Sequence, residues 1–130
     1  MVGFLRLILL QVLFCLTIIS TVHAGSDAVI LQYHRFGEAE FPNASVSKAQ
    51  FAAHLDYLLA NDYQVMALQE LLERIEGGLQ VGPKVLAITI DDAFESVYTV
   101  AWPMLRQAGL PFTLFVATEA IDKNYAGYMR

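Results

Sequence analysis

Two periods of apolar residues run along the chain, and the switches between them mark out its elements. Phe51, Leu55, Leu58 and Leu59 recur at i, i+4, i+7 and i+8, which predicts an amphipathic helix over Lys48 to Ala60. Ser47 stands three residues before Gln50 and predicts a capping box at its start, with Asn61-Asp62 at its end. Leu68, Leu71, Leu72 and Ile75 mark a second helix, stopped by Gly77-Gly78. Ala28 to Tyr33 is a short apolar run of strand type, and Tyr63 to Met66 a briefer one. Val85 to Ile90 is an unbroken apolar run, the pattern of a strand buried on both faces. A third helix is predicted from Glu95 to Gln107, with Pro103 kinking it or starting a new turn, and Phe112 to Val116 reads as a fourth strand. From Glu119 the pattern is loop-like, and Tyr125 to Met129 reads as the beginning of another helical unit.

Strand and helix thus alternate three times before a last strand. That order predicts an α/β fold with a parallel sheet and crossover helices. There is no internal repeat and no low-complexity stretch.

Apolar residues make up 56% and charged residues 16% of the 130, with 13 acidic and 8 basic side chains and a net charge of −5. This composition excludes a disordered tail, a collagen-like fibre and a basic nucleic-acid-binding module. The apolar excess is uneven. Arg6 is followed by a mostly apolar run from Leu7 to Ile19, then by Ser20-Thr21 and Val22-His23-Ala24 before Gly25. This is the order of a cleavable secretory signal ending at Ala24. The run is shorter than the ~20 residues a membrane span needs. Residues 1–24 are therefore expected to be a signal peptide, and 25–130 an exported body, secreted or held in the periplasm or cell envelope, with no stable membrane span after cleavage. Cys15, the one cysteine, would leave with the signal, so the body would rely on packing or a metal rather than a disulfide.

In parallel α/β folds ligands gather at the carboxyl ends of the strands. Asp91-Asp92 follows the most apolar strand. Two adjacent carboxylates there suit a cation site in which one binds metal and the other accepts a proton, or the acidic first turn of a helix; spacing does not choose between them. Tyr33-His34 follows the first strand, where the histidine serves as a metal ligand, a carboxylate partner or a hydrogen-bonded wall residue. His54, on a helix flank, reads as packing or surface. Tyr98 and Trp102, at i and i+4, read as core before they read as a sugar-stacking platform. No glycine-rich phosphate loop, Gly-x-Ser-x-Gly elbow or cysteine-based site is present.

The segment Leu86-Ala-Ile-Thr-Ile-Asp-Asp-Ala-Phe94 resembles the first motif of the polysaccharide deacetylases, the NodB-homology or carbohydrate esterase family 4 group, which reads Thr-Phe-Asp-Asp-Gly. Tyr33-His34, Tyr98, Pro103, Leu105 and Pro111 to Ala117 are similar to that family's surrounding pattern, so the likeness covers nearly all of Ala28 to Arg130. The resemblance implies a distorted (β/α) barrel, of which about four parallel strands with crossover helices lie in this chain. It implies metal-dependent hydrolysis of N-acetyl groups on an extracellular or cell-envelope polysaccharide such as poly-N-acetylglucosamine. By match to the motif, Asp91 would be the general base and Asp92 a ligand of a divalent metal, commonly zinc; His34 and Tyr33 are candidates for lining the site. Ala93 stands where the family has Gly, and Ile90 where it has Phe. An alanine fits there if its φ is negative. The family's His-Ser/Thr-x-x-His motif, which supplies the other metal ligands, is not found before Arg130, so 25–130 is expected to be the N-terminal part of such a domain, truncated. The alternative is a catalytically inactive exported module that binds glycans or supports an assembly on a degenerate deacetylase fold.

Overall fold

The structure, a computed structural model, describes residues 28–130. The expected signal segment lies outside the described residues. Among those described, no helix is long and apolar enough to cross a membrane.

The central strand is β5 (Val85–Asp92). It pairs on one edge with β1 (Val29–Tyr33) and on the other with β4 (Gln64–Val65) near its start and β6 (Thr113–Val116) near its end, all parallel. A separate parallel pair, β2 (Arg35–Phe36) and β3 (Ser45–Val46), forms after β1. The helices are α1 (Lys48–Ala60), α2 (Leu68–Glu76), α3 (Trp102–Ala108) and α4 (Thr118–Asp122). Four parallel strands with crossover helices match the expected architecture.

The unbroken apolar run of β5 is buried from Leu86 to Ile90 because both faces are covered. Leu86, Ile88 and Ile90 join Phe36 and α1's Phe51, Leu55 and Leu58 in the main core, together with Val97 and α3's Leu105. Each such side chain, fully buried, contributes about 1.5–3 kcal/mol of hydrophobic stabilisation. On the opposite face Ala87 packs with Met66 and α2's Leu71. Helix α1 begins as its sequence dictates: Ser47 Oγ accepts the Gln50 N–H, and Gln50 Oε1 accepts the Ser47 N–H.

Three sequence expectations are corrected. The helix before Pro103 is not regular: Val97–Ala101 is a π-helical turn in which the Trp102 N–H reaches the Val97 carbonyl. A proline at 103 cannot donate to the turn before it and crowds that turn's carbonyl, and the wider turn relieves both conflicts. Residues after Glu119 are not wholly loop, since α4 ends only at Asp122. Tyr125 to Met129 is not the start of a helix. It lies antiparallel beside Ala93 to Glu95, with the Met129 N–H on the Ala93 carbonyl (2.9 Å) and the Glu95 N–H on the Gly127 carbonyl (2.8 Å). Tyr128 against Phe94, ring centroids 4.6 Å apart, sets this arrangement in preference to helix.

Candidate active site

Strand alternation decides which side chains can meet. In the β1–β5 register Gln32 lies opposite Thr89 and Tyr33 opposite Ile90. Gln32, Thr89 and Asp91 therefore share one face, while Tyr33 goes with Ile90 to the helix-covered face. The first face opens into a cleft of about 620 Å³ lined by Gln32, Thr89, Asp91, Asp92, Phe115 and Val116, among others. It lies at the carboxyl end of the sheet, where a parallel fold places its ligands.

Within the cleft the Gln32 side-chain amide donates to Asp91 Oδ2 at 2.5 Å, and His34 Nε2 lies 3.6 Å from the same oxygen. The Asp91 side chain is about one-quarter exposed and lines the cleft. The Asp92 carboxylate lines the same cleft and has no hydrogen-bond partner among the described residues. The acidic pair forms the last two residues of β5 itself, in register with Phe115 and Val116, not a helical first turn.

The backbone turns sharply at this point. Asp92 has φ 71° and Ala93 φ 59°, two successive left-handed residues without a glycine. The condition under which alanine replaces the family's glycine without strain, a negative φ, is not met. Aspartate tolerates this region; an alanine Cβ there costs on the order of 1 kcal/mol. The strained turn is fully buried at Ala93 and held by the Met129 and Glu95 hydrogen bonds described above. Behind it, Arg35 is sandwiched between Phe41 and Phe94 and paired with Glu38, which fixes Phe94 and hence the exit from the turn.

The structure thus places Asp91 and Asp92 in one cleft with His34 beside Asp91, and does not bring Tyr33 there. The Tyr33 hydroxyl pairs with His54 Nδ1 at 3.0 Å, and its ring packs on Phe36 and Phe51. Burial raises the pKa of this phenol above its usual 10.0. Gln32 was not singled out in the sequence. Its only signal there is the two-residue spacing to His34, which becomes meaningful once the pairing with β5 is known.

The metal implied by the resemblance can be tested on the donors present. A structural or catalytic zinc takes three or four protein ligands. Among the described residues no group of three or more His, Cys, Asp or Glu side chains could hold a metal ion. These residues do not by themselves make a metal centre.

Residues 78–130 match the family model described as Polysaccharide deacetylase. The chain is 29% identical over 113 residues to the poly-beta-1,6-N-acetyl-D-glucosamine N-deacetylase of Staphylococcus aureus, covering 76% of this chain and 39% of that protein. Among solved structures it superposes on IcaB from Ammonifex degensii with a TM-score of 0.63 and 33% identity, covering 71% of this chain and 39% of that one. It superposes on the deacetylase PplD of Streptococcus pyogenes with a TM-score of 0.66 and 25% identity, covering 77% and 46%. With the acidic pair at the mouth of β5, these likenesses make the chain similar to the polysaccharide deacetylases over most of its described residues. Its fold is a partial α/β fold of the NodB type. The chain spans about two fifths or less of the length of the curated relatives it matches.

Proposed function

We propose that this chain contributes the base-bearing half of a site that hydrolyses N-acetyl groups on an extracellular or cell-envelope polysaccharide of the poly-N-acetylglucosamine type. The observation that carries the proposal is Asp91, held at the mouth of the cleft by Gln32, beside an unpartnered Asp92. The family likeness supports the reaction class, and the S. aureus relative is named for that polymer. The S. pyogenes relative was solved in complex with acetate, the acid that deacetylation releases.

Gln32 occupies Asp91 Oδ2 and leaves Oδ1 to take a proton from water. The water oxygen then bonds to the amide carbonyl carbon, the C–N bond breaks, and the proton passes to the departing amine as acetate leaves. His34, 3.6 Å from Asp91, would stabilise charge on Asp91 or on the substrate oxygen. Asp92 would offer one carboxylate to a divalent metal such as zinc, with the remaining ligands supplied from outside the described residues. Such an ion, when bound, polarises the carbonyl and the water.

The test is a hybrid protein in which residues 28–130 replace the matching part of the S. aureus enzyme. Release of free amines from poly-beta-1,6-N-acetylglucosamine supports the proposal. A folded hybrid that binds the polymer without releasing amines overturns it in favour of the glycan-binding module, the reading to which the strained Ala93 points.

A further inference from the structure

The ladder between β1 and β5 ends at the Tyr33–Ile90 pair, one residue short of His34 and Asp91. Asp91 stays in register with Phe115 of β6, so it is His34 that leaves the sheet. Past the site the two chains meet again at two points. Arg35, directly after His34, has its guanidinium carbon 3.4 Å from the centre of the Phe94 ring, which follows the Asp92–Ala93 turn. The Phe36 N–H donates to Ser96 Oγ at 3.2 Å, and both residues are buried.

Arg35 is itself tied down. Its guanidinium carbon lies 3.9 Å from the centre of the Phe41 ring, and its Nη1 pairs with Glu38, whose N–H donates to Ser45 Oγ at 3.0 Å. The Arg35 N–H donates to the Ala44 carbonyl at 3.0 Å. Its side chain is only 13% exposed. An aliphatic side chain would fill that space without the cost of desolvating a charge; arginine adds a flat cation that fixes the plane of the ring it lies on. From this geometry we infer that Arg35 and Ser96 are positioning residues. They brace the chain beyond His34 to the chain beyond the acidic pair, and so hold His34 Nε2 at 3.6 Å from Asp91 Oδ2. Neither residue lines the cleft, so each acts through its neighbours. The brace lies wholly within residues 35–96. That this spacing serves catalysis rests on the proposed function.

The test has two arms, each run on Arg35→Met, which fills the space without a charge, and on Ser96→Ala, which removes only a hydroxyl and guards against an Arg35→Met protein that fails to fold. In the isotopically labelled full chain, relaxation measurements give the order parameter of the His34 N–H. It is expected near the ~0.85 of rigid backbone in the wild type and lower in both variants, with Thr89 in the middle of β5 unchanged. In the hybrid enzyme both variants are expected to lower kcat about 10- to 100-fold and to change KM by less than about twofold, because small misplacements of reacting groups act on the chemical step. An unchanged His34 order parameter in both variants overturns the inference, whatever the activity. Folded variants that keep the wild-type kcat also overturn it. An unaltered hybrid that releases no amine, with His34 loosened in both variants, overturns the proposed function and leaves the brace standing.

Discussion

Gln32 Nε2 donates to Asp91 Oδ2 across the β1–β5 pair, so a strand at the sheet's edge orients the carboxylate on its central strand. The contact depends on register, because a one-residue slip of β1 would replace Gln32 by Leu31 or Tyr33 on that face. Gln32→Leu should therefore leave the fold intact and lower stability by about 1 kcal/mol. In the hybrid enzyme it should reduce kcat by more than it raises KM, and Gln32→Asn should fail to restore the rate because its amide is one methylene short. Equal kcat in wild type and Gln32→Leu would remove the positioning role.

Ala93→Gly should raise stability by about 1 kcal/mol, since φ 59° is strained for alanine and free for glycine. A shift of a few degrees upward in Tm would show it. The converse change at Gly109, which ends α3 at φ 67°, should cost a similar amount in Gly109→Ala. A lower Tm for Ala93→Gly would mean that the buried methyl group outweighs the backbone strain.

Stability at high pH should depend on Tyr33. Its phenol is harder to ionise when folded than when unfolded, because burial disfavours the phenolate. The contribution is complete below pH 10, the unfolded value, and is lost as pH rises through the raised folded value. Urea melts from pH 8 to 11.5 should show the fall in the wild type and a shallower one in Tyr33→Phe. Identical slopes would contradict the assignment.

Phe51 is fully buried against Phe36 and Tyr33, with ring centroids 4.7 and 5.2 Å away. Phe51→Ala should cost about 3–5 kcal/mol, a large share of the stability of any domain this size. Loss of the cooperative thermal transition is the expected readout. Ser47→Ala, which removes only the cap, should cost about 1 kcal/mol.

Much of this was legible because local rules act strongly in the relevant segments. The spacing of Phe51, Leu55 and Leu58 with the Ser47 cap reproduced α1 residue for residue, and the apolar run before Asp91 marked the buried strand. What escaped depends on contacts distant in sequence. Tyr128 follows Phe94 into an extended pairing, against a pattern that reads as helix. Tyr98 and Trp102 have core spacing, yet the π-helical turn ahead of Pro103 shifts the helical phase and leaves both exposed. Tyr33 and His34, adjacent in the sequence, part to opposite faces because strands alternate, so only His34 reaches the acidic pair. The exposed Phe115 and Val116 on β6 agree with an apolar strand whose outer edge is unpaired among the described residues.

The central claim is that Asp91 is the base of a deacetylation site, and the most direct measurement is amine release from poly-beta-1,6-N-acetylglucosamine by the hybrid enzyme and its Asp91→Asn variant, with polymer binding followed in parallel. The account predicts a fall in kcat of about 10²–10⁴-fold with binding retained. An Asp91→Asn enzyme that turns over at the wild-type rate would contradict it.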